Sequence, residues 1–241
     1  TTPEEVQVKL IRLVANLSIH PDVGAQAASS DLLAAVLLSV LEDFTLNDQE
    51  ELVLNAVSAV TNLCFYEVPF NRVLSMREPL AKLMVPMLLS HNHEAVGEVA
   101  RCYGNLSRYA EVRDLMAGGR VLEALAILLD HPSRDVLYSL VGALINVSAD
   151  GAHKPALLAL GLVPRLGEVL DRCCEAGDLV LAAVVGKVLY NVAAPDEGMG
   201  EDDEEGGGGG DGGGGGGGTP PAGEAAFTAT EVTELTRVIL Q

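Results

Sequence analysis

Apolar residues return every three or four positions through five long segments: Glu5 to Ser18, Glu50 to Phe65, Glu94 to Arg108, Arg134 to Ser148 and Asp178 to Ala193. That spacing lays them along one side of an α-helix. In the second segment Leu54, Val57 and Val60, with Thr61 and Leu63, keep one side largely apolar, as a packed helix requires. Two shorter helices are predicted between each pair of long ones. His20-Pro21 stops the first long helix, and Asp22 to Ala28 and Ser30 to Glu42 follow, with Asp31 as a candidate cap. Pro69 to Met76 with Glu78 to Leu89, Glu111 to Ala117 with Val121 to Asp130, and Lys154 to Leu160 with Leu162 to Asp171 repeat the arrangement. Gly118-Gly119 and Gly161 divide the last two pairs, where a residue without a β-carbon ends a helix without a steric penalty.

Each long segment closes on a short motif: Asn16-Leu17-Ser18, Asn62-Leu63-Cys64, Asn105-Leu106-Ser107, Asn146-Val147-Ser148 and Asn191-Val192-Ala193. The asparagines stand 46, 43, 41 and 45 residues apart. A helical period in the low forties indicates an α-solenoid of stacked repeats. Such a chain presents one long surface to a partner.

One short, one medium and one long helix per period resembles the armadillo repeat, whose third helix ends in a pattern like Ala-Leu-x-Asn-Leu-Ala. The matching stretches include Ala59-Val60-Thr61-Asn62-Leu63-Cys64, Ala143-Leu144-Ile145-Asn146-Val147-Ser148 and Val188-Leu189-Tyr190-Asn191-Val192-Ala193. The resemblance implies an all-α, right-handed solenoid of three-helix repeats over residues 1–195. Only the third helix of a first repeat is present, followed by four repeats, so the chain reads as a solenoid entered midway in a longer protein. The wording of Val8 to Pro21, Glu50 to Val57 and Ala100 to Ser107 further resembles an armadillo group associated with building motile cilia and flagella. That likeness implies a cytoplasmic and ciliary protein serving transport or assembly of axonemal complexes, radial spokes above all, with axonemal or intraflagellar-transport components as partners.

After Pro195 the pattern changes abruptly. Eight acids between Asp196 and Asp211 stand without a base and run into glycine tracts at 206–210 and 212–218. Residues 196–223 are expected to be a disordered linker, because they cannot bury enough apolar surface to offset chain entropy. Residues 224–241 carry a short helix with Val232, Leu235, Val238 and Ile239 on one side, expected to dock on the last repeat.

The formal net charge of −19 argues against a nucleic-acid backbone as ligand. No stretch reaches the roughly 20 apolar residues of a membrane span; the best, Leu179 to Val192, is interrupted by Lys187. Four cysteines, Cys64, Cys102, Cys173 and Cys174, lack metal or redox spacing and read as reduced thiols. The glycine tracts lack the strand, helix and Lys-Ser/Thr context of a phosphate loop. His91 and His93 are too closely spaced to share a helical face and read as a solvated turn rather than a metal site. Asn16, Asn105 and Asn146 sit in Asn-x-Ser triplets that match a glycosylation acceptor by coincidence of the repeat. No nucleophile, base and orienting residue stand out, so neither a cofactor nor a small-molecule substrate is expected.

The candidate binding surface is the asparagine row, Asn16, Asn62, Asn105, Asn146 and Asn191. In peptide-binding armadillo proteins such a row bonds an extended partner backbone; the alternative is that each Asn bonds local backbone and helps stop its helix. Four residues earlier, on the same face, stand Arg12, Ser58, Arg101, Gly142 and Lys187. Nuclear-import adaptors of this fold commonly carry Trp there, and this chain has no Trp, which opposes that function. Three basic residues in an acidic chain favour an acidic or backbone-presenting partner; Glu98 and Arg101, three apart, alternatively pair with each other. The competing functional readings are a permanent axonemal component and a regulatory module binding a small GTPase or an adhesion tail, its groove contested by the acidic linker.

Overall fold

The computed structural model describes residues 3–194, and every regular element there is helical. Twelve α-helices run α1 (Pro3–Leu17), α2 (Pro21–Ala28), α3 (Asp31–Asp43), α4 (Leu46–Leu63), α5 (Arg77–Met84), α6 (His93–Leu106), α7 (Ala110–Gly118), α8 (Val121–Leu128), α9 (Arg134–Ser148), α10 (Lys154–Ala159), α11 (Leu162–Ala176) and α12 (Leu179–Ala193). The five motif-bearing helices α1, α4, α6, α9 and α12 stack one on the next, and the other helices pack behind them; α11, expected to end at Asp171, runs on to Ala176. One continuous core runs through the stack, from Ile11 and Ala15 to Val185 and Val188. The linker and C-terminal helix expected over 196–241 lie outside the described residues. Among the described residues no single helix is long and apolar enough to cross a membrane.

Local signals set most of the boundaries. Ser30, rather than the expected Asp31, caps α3, its hydroxyl accepting from the Leu33 N–H at 3.3 Å. Asn92, Ser133 and Asp178 cap α6, α9 and α12 in the same way. Gly161 and Gly177 adopt left-handed backbone at φ 63° and 71°, which frames α11 on both sides.

The third repeat departs from expectation. No helix forms over Pro69 to Met76; the chain bends until a 3-10 turn at Leu74–Met76 that runs into α5. The cause is Asn71, whose buried amide donates to the Leu63 and Tyr66 carbonyls and accepts from the Leu74 N–H, so that side chain rather than a helix serves the local backbone. The helix expected over Glu78 to Leu89 likewise breaks at Met84, and Val85–Leu89 is a 3-10 turn. Pro86 lacks the N–H that an α-helix needs there. The first helix of this repeat is thus displaced along the chain, and the second shrinks to a single turn.

Candidate binding face of the third helices

The ends of the long helices meet through the asparagine row. Asn62 Nδ2 donates to the Ala15 carbonyl at 3.0 Å, and Asn105 Nδ2 to the Thr61 carbonyl at 2.9 Å. Asn146 Nδ2 donates to Gly104 O at 3.2 Å and Ser107 Oγ at 2.9 Å. Asn191 Nδ2 does the same to Ile145 O at 3.3 Å and Ser148 Oγ at 3.1 Å. Each amide therefore reaches the long helix of the preceding repeat. This is neither of the simple alternatives posed by the sequence, since the bonded backbone belongs to the protein but not to the Asn's own helix. Asn16 lies on the first described helix and makes no side-chain hydrogen bond among the described residues.

An amide nitrogen carries two protons and its oxygen two acceptor sites. At Asn146 and Asn191 both protons are engaged within the protein, leaving the oxygen to accept from a partner N–H. At Asn62 and Asn105 one proton is engaged, so one donor also remains. The row keeps hydrogen-bonding capacity for an extended chain, weighted toward acceptance.

The motif's final Ser is the residue sequence reading passed over. Ser107 and Ser148 are buried, donate to Gly104 and Ile145 carbonyls respectively, and receive the next repeat's Asn. The Asn-x-Ser triplets at Asn105 and Asn146 contribute to an inter-repeat contact, whereas Ser18 of the first triplet bonds only the Val14 carbonyl. Where Cys64 replaces Ser, Asn105 bonds the backbone alone.

The residues one turn back differ in their partners. Arg12 forms an ion pair with Glu51 of the next long helix, and Arg101 pairs with Glu98 at 2.9 Å. Burial raises the Glu98 carboxyl above its ordinary range, against the opposing pull of Arg101. Lys187 has no ion-pair partner among the described residues. Ser58 is half-buried, and Gly142 leaves open space where a side chain would stand. Two clefts of about 420 and 290 Å³ flank the Arg12–Glu51 pair, the first lined by Glu4, Glu5, Lys9 and Gln49 and the second by Glu50, Asn55 and Glu94. The basic row is thus locally neutralised at its first two members, and carboxylates line the surrounding clefts.

Further arginines close the helix ends. Arg108 donates to Cys64 O at 2.8 Å, Asn105 O at 2.9 Å and Glu67 at 2.9 Å, which serves the last carbonyls of two successive long helices. Arg113 donates to Ser107 O, Arg108 O and Asp150. Burial pushes the Asp150 carboxyl up, but hydrogen bonds from Arg113 and the Ala152 N–H outweigh it and hold it below the usual range. His93 is exposed but opens α6 rather than lying in a turn, and its Nδ1 lies 2.6 Å from His131 Nε2. No group of three or more metal-ligating side chains occurs among the described residues.

Five stacked long helices joined by a recurrent asparagine define the architecture. The chain is an armadillo-repeat protein. No protein-family model matches it. It is 34% identical over 188 residues to human Armadillo repeat-containing protein 2 and 33% identical over 203 residues to the mouse protein of that name, which covers 78% and 83% of this chain. The chain spans less than a quarter of the length of these curated relatives, 22% and 24%. Among solved structures it resembles the designed armadillo repeat protein YIII(Dq)4CqI, with a TM-score of 0.65 at 20% identity over 81% of this chain and 79% of that one. It also resembles the designed armadillo repeat protein YIII(Dq.V1)4CPAF in complex with peptide (KR)4, with a TM-score of 0.62 at 18% identity over 78% of this chain and 75% of that one. Armadillo architecture points to a scaffold that binds protein.

Proposed function

We propose that the long-helix face of this solenoid holds an extended segment of another protein, and that it does so in the transport or assembly of axonemal complexes, radial spokes in particular, of motile cilia and flagella. The observation carrying the binding role is the asparagine row itself. Asn62, Asn105, Asn146 and Asn191 are fixed by the preceding repeat, so their free lone pairs and remaining N–H groups are already oriented, and a partner does not have to order them on binding. The ciliary role is supported by the resemblance of Val8 to Pro21, Glu50 to Val57 and Ala100 to Ser107 to an armadillo group with that association.

Gly142 offers a clean test. A β-carbon there meets no heavy atom within 4 Å, so the side chain of Gly142→Trp leaves the backbone into open space on this face. Used as bait in flagellar extract, the unmodified chain is expected to recover axonemal or intraflagellar-transport components, and Gly142→Trp to lose them. Recovery of none by the unmodified chain would overturn the ciliary role. Equal recovery by both would move the partner off this face.

A further inference from the structure

A cleft of about 480 Å³ opens at the N-terminal end of α4, roughly 20 Å by helical rise from Asn62 at its other end. One wall is Leu41, Phe44 and Leu46, where α3 gives way to α4; the other is Leu83, Met87 and Leu89 of the third repeat. Both walls are irregular. Asn16 and Asn62 stand 46 residues apart, the widest interval in the row, and the added length includes a turn at Leu46–Asp48 that Gln49, at φ −143° and ψ 65°, breaks from the rest of α4. α6 and α9 start directly at their caps, without such a turn. Opposite lies the 3-10 turn Val85–Leu89 that Pro86 imposes. The result is apolar surface that the core does not absorb: Phe44, Leu46 and Leu83 are half-buried, and Leu89 is 50% exposed. The surroundings are acidic. Glu42 lines the cleft, with Asp43 beside it and Asp48 in the adjoining turn. α3 ends at the cleft, and its last turn holds no base to offset the partial negative charge of the final carbonyls. Of the described residues His91 alone brings a titratable base to the lining, and Lys82 on α5 pairs with Glu78.

We propose that this cleft is a second protein-docking site, separate from the asparagine face, which takes the apolar side of a short amphipathic helix flanked by Lys or Arg. Two bulky side chains one helical turn apart enter between the walls. A helix fits because it satisfies its own backbone, whereas the apolar walls offer an extended chain no row of hydrogen-bond partners. The volume lies within the roughly 300–1,000 Å³ of functional pockets, room for more than a single side chain. Charge selects the occupant. Residues 224–241 of this chain are apolar enough to compete, but Glu224, Glu231 and Glu234 against Arg237 alone give them the same sign as the rim. A second copy, at a net charge of −19, is repelled for the same reason.

The test is selection of random displayed peptides of about 16 residues, four to five helical turns, on residues 1–241, followed by depletion on Leu89→Lys. Leu89 and Glu42 are exposed, so variants at either position should keep the helical circular dichroism of the parent. The peptides left should carry two bulky apolar residues three or four apart and more Lys and Arg than Asp and Glu. In fluorescence anisotropy they should bind Leu89→Lys roughly tenfold and Glu42→Gln roughly threefold more weakly than the parent, lose affinity as salt rises, and bind Gly142→Trp unchanged. An empty pool, an acidic one, or one indifferent to Glu42→Gln and salt would overturn the inference. So would a dimer of residues 1–241 that Leu89→Lys dissociates, or peptide binding that tightens when residues 224–241 are removed, because the occupant would then be a second copy or the chain's own end.

Discussion

Replacing Asn146 with Ala measures the stitching role of the asparagine row. Two hydrogen bonds disappear, at 3.2 Å to Gly104 O and 2.9 Å to Ser107 Oγ. Each bond between neutral groups is worth about 1 kcal/mol net. Gly104 O still accepts from Ser107 Oγ at 3.2 Å, so no bare acceptor is buried and the loss stays near about 2 kcal/mol. Position 146 is helical, and Ala is the better helix former there by roughly 0.6 kcal/mol. The expected net destabilisation is therefore about 1 to 1.5 kcal/mol. For a chain of this size that lowers the melting temperature by a few degrees, about 2 to 4 °C per kcal/mol. Asn16→Ala supplies the control, because the residue and motif are the same but no preceding helix is bonded; it should be neutral or slightly stabilising. Urea titration followed by circular dichroism measures both, and hydrogen exchange at the α6–α9 junction localises the effect. Equal behaviour of the two variants would refute the claim that the amides join successive repeats.

Other perturbations test other parts of the fold. Gly24→Ala places a β-carbon against the Tyr66 ring and the Ser18 carbonyl, so it should break the Tyr66 Oη to Ser18 O bond and unsettle the α1–α2 corner, seen as a lower urea midpoint. Asp178 accepts from Arg134 Nε at 2.7 Å and from the Leu181 N–H, which hold its carboxyl below the usual range. Its contribution is complete above the unfolded value of about 3.9 and is lost as pH falls through the lower folded value, so Asp178→Asn should flatten the acid limb of a stability profile below about pH 4. Burial, then the neighbouring His93, lowers the His131 pKa. The unfolded chain takes up that proton first, so stability should fall as pH drops through about 6.5 and level off below the folded value, and His131→Gln should remove this step. Of the four cysteines Cys64, Cys102 and Cys173 are buried, so one thiol per native chain, Cys174, should react with a disulfide reagent and four after denaturation.

What the sequence could and could not reveal divides along the range of the forces involved. The long helices were legible because each buries a periodic apolar side, a property of contiguous residues. The caps at Asn92, Ser133 and Asp178 obey equally local rules. The third repeat departs from the sequence reading where a side chain competes with helix formation: Asn71 bonds backbone up to eight residues away, and only packing reveals that those carbonyls come within its reach. The binding row was legible as a list of positions but not as a set of bonds. Asn62 meets Ala15 across 47 residues and Asn105 meets Thr61 across 44, a partnership no local pattern encodes. One clue was available in the motif's third position. Ser at 107 and 148 is a poor choice for a fully buried helical site unless its hydroxyl has a partner, and its recurrence beside Asn called for a polar contact between repeats. The charged neighbours show the same limit. The Arg101–Glu98 pair, three residues apart, was legible locally, but Arg12 meets Glu51 only once the helices stack, so an acidic partner must displace existing pairs whereas one that presents its backbone need not. The geometry thus favours recognition through main-chain hydrogen bonds at the asparagines, with partner choice resting on what surrounds them: the carboxylate-lined clefts near α1 and α4 at one end, and Lys187 at the other.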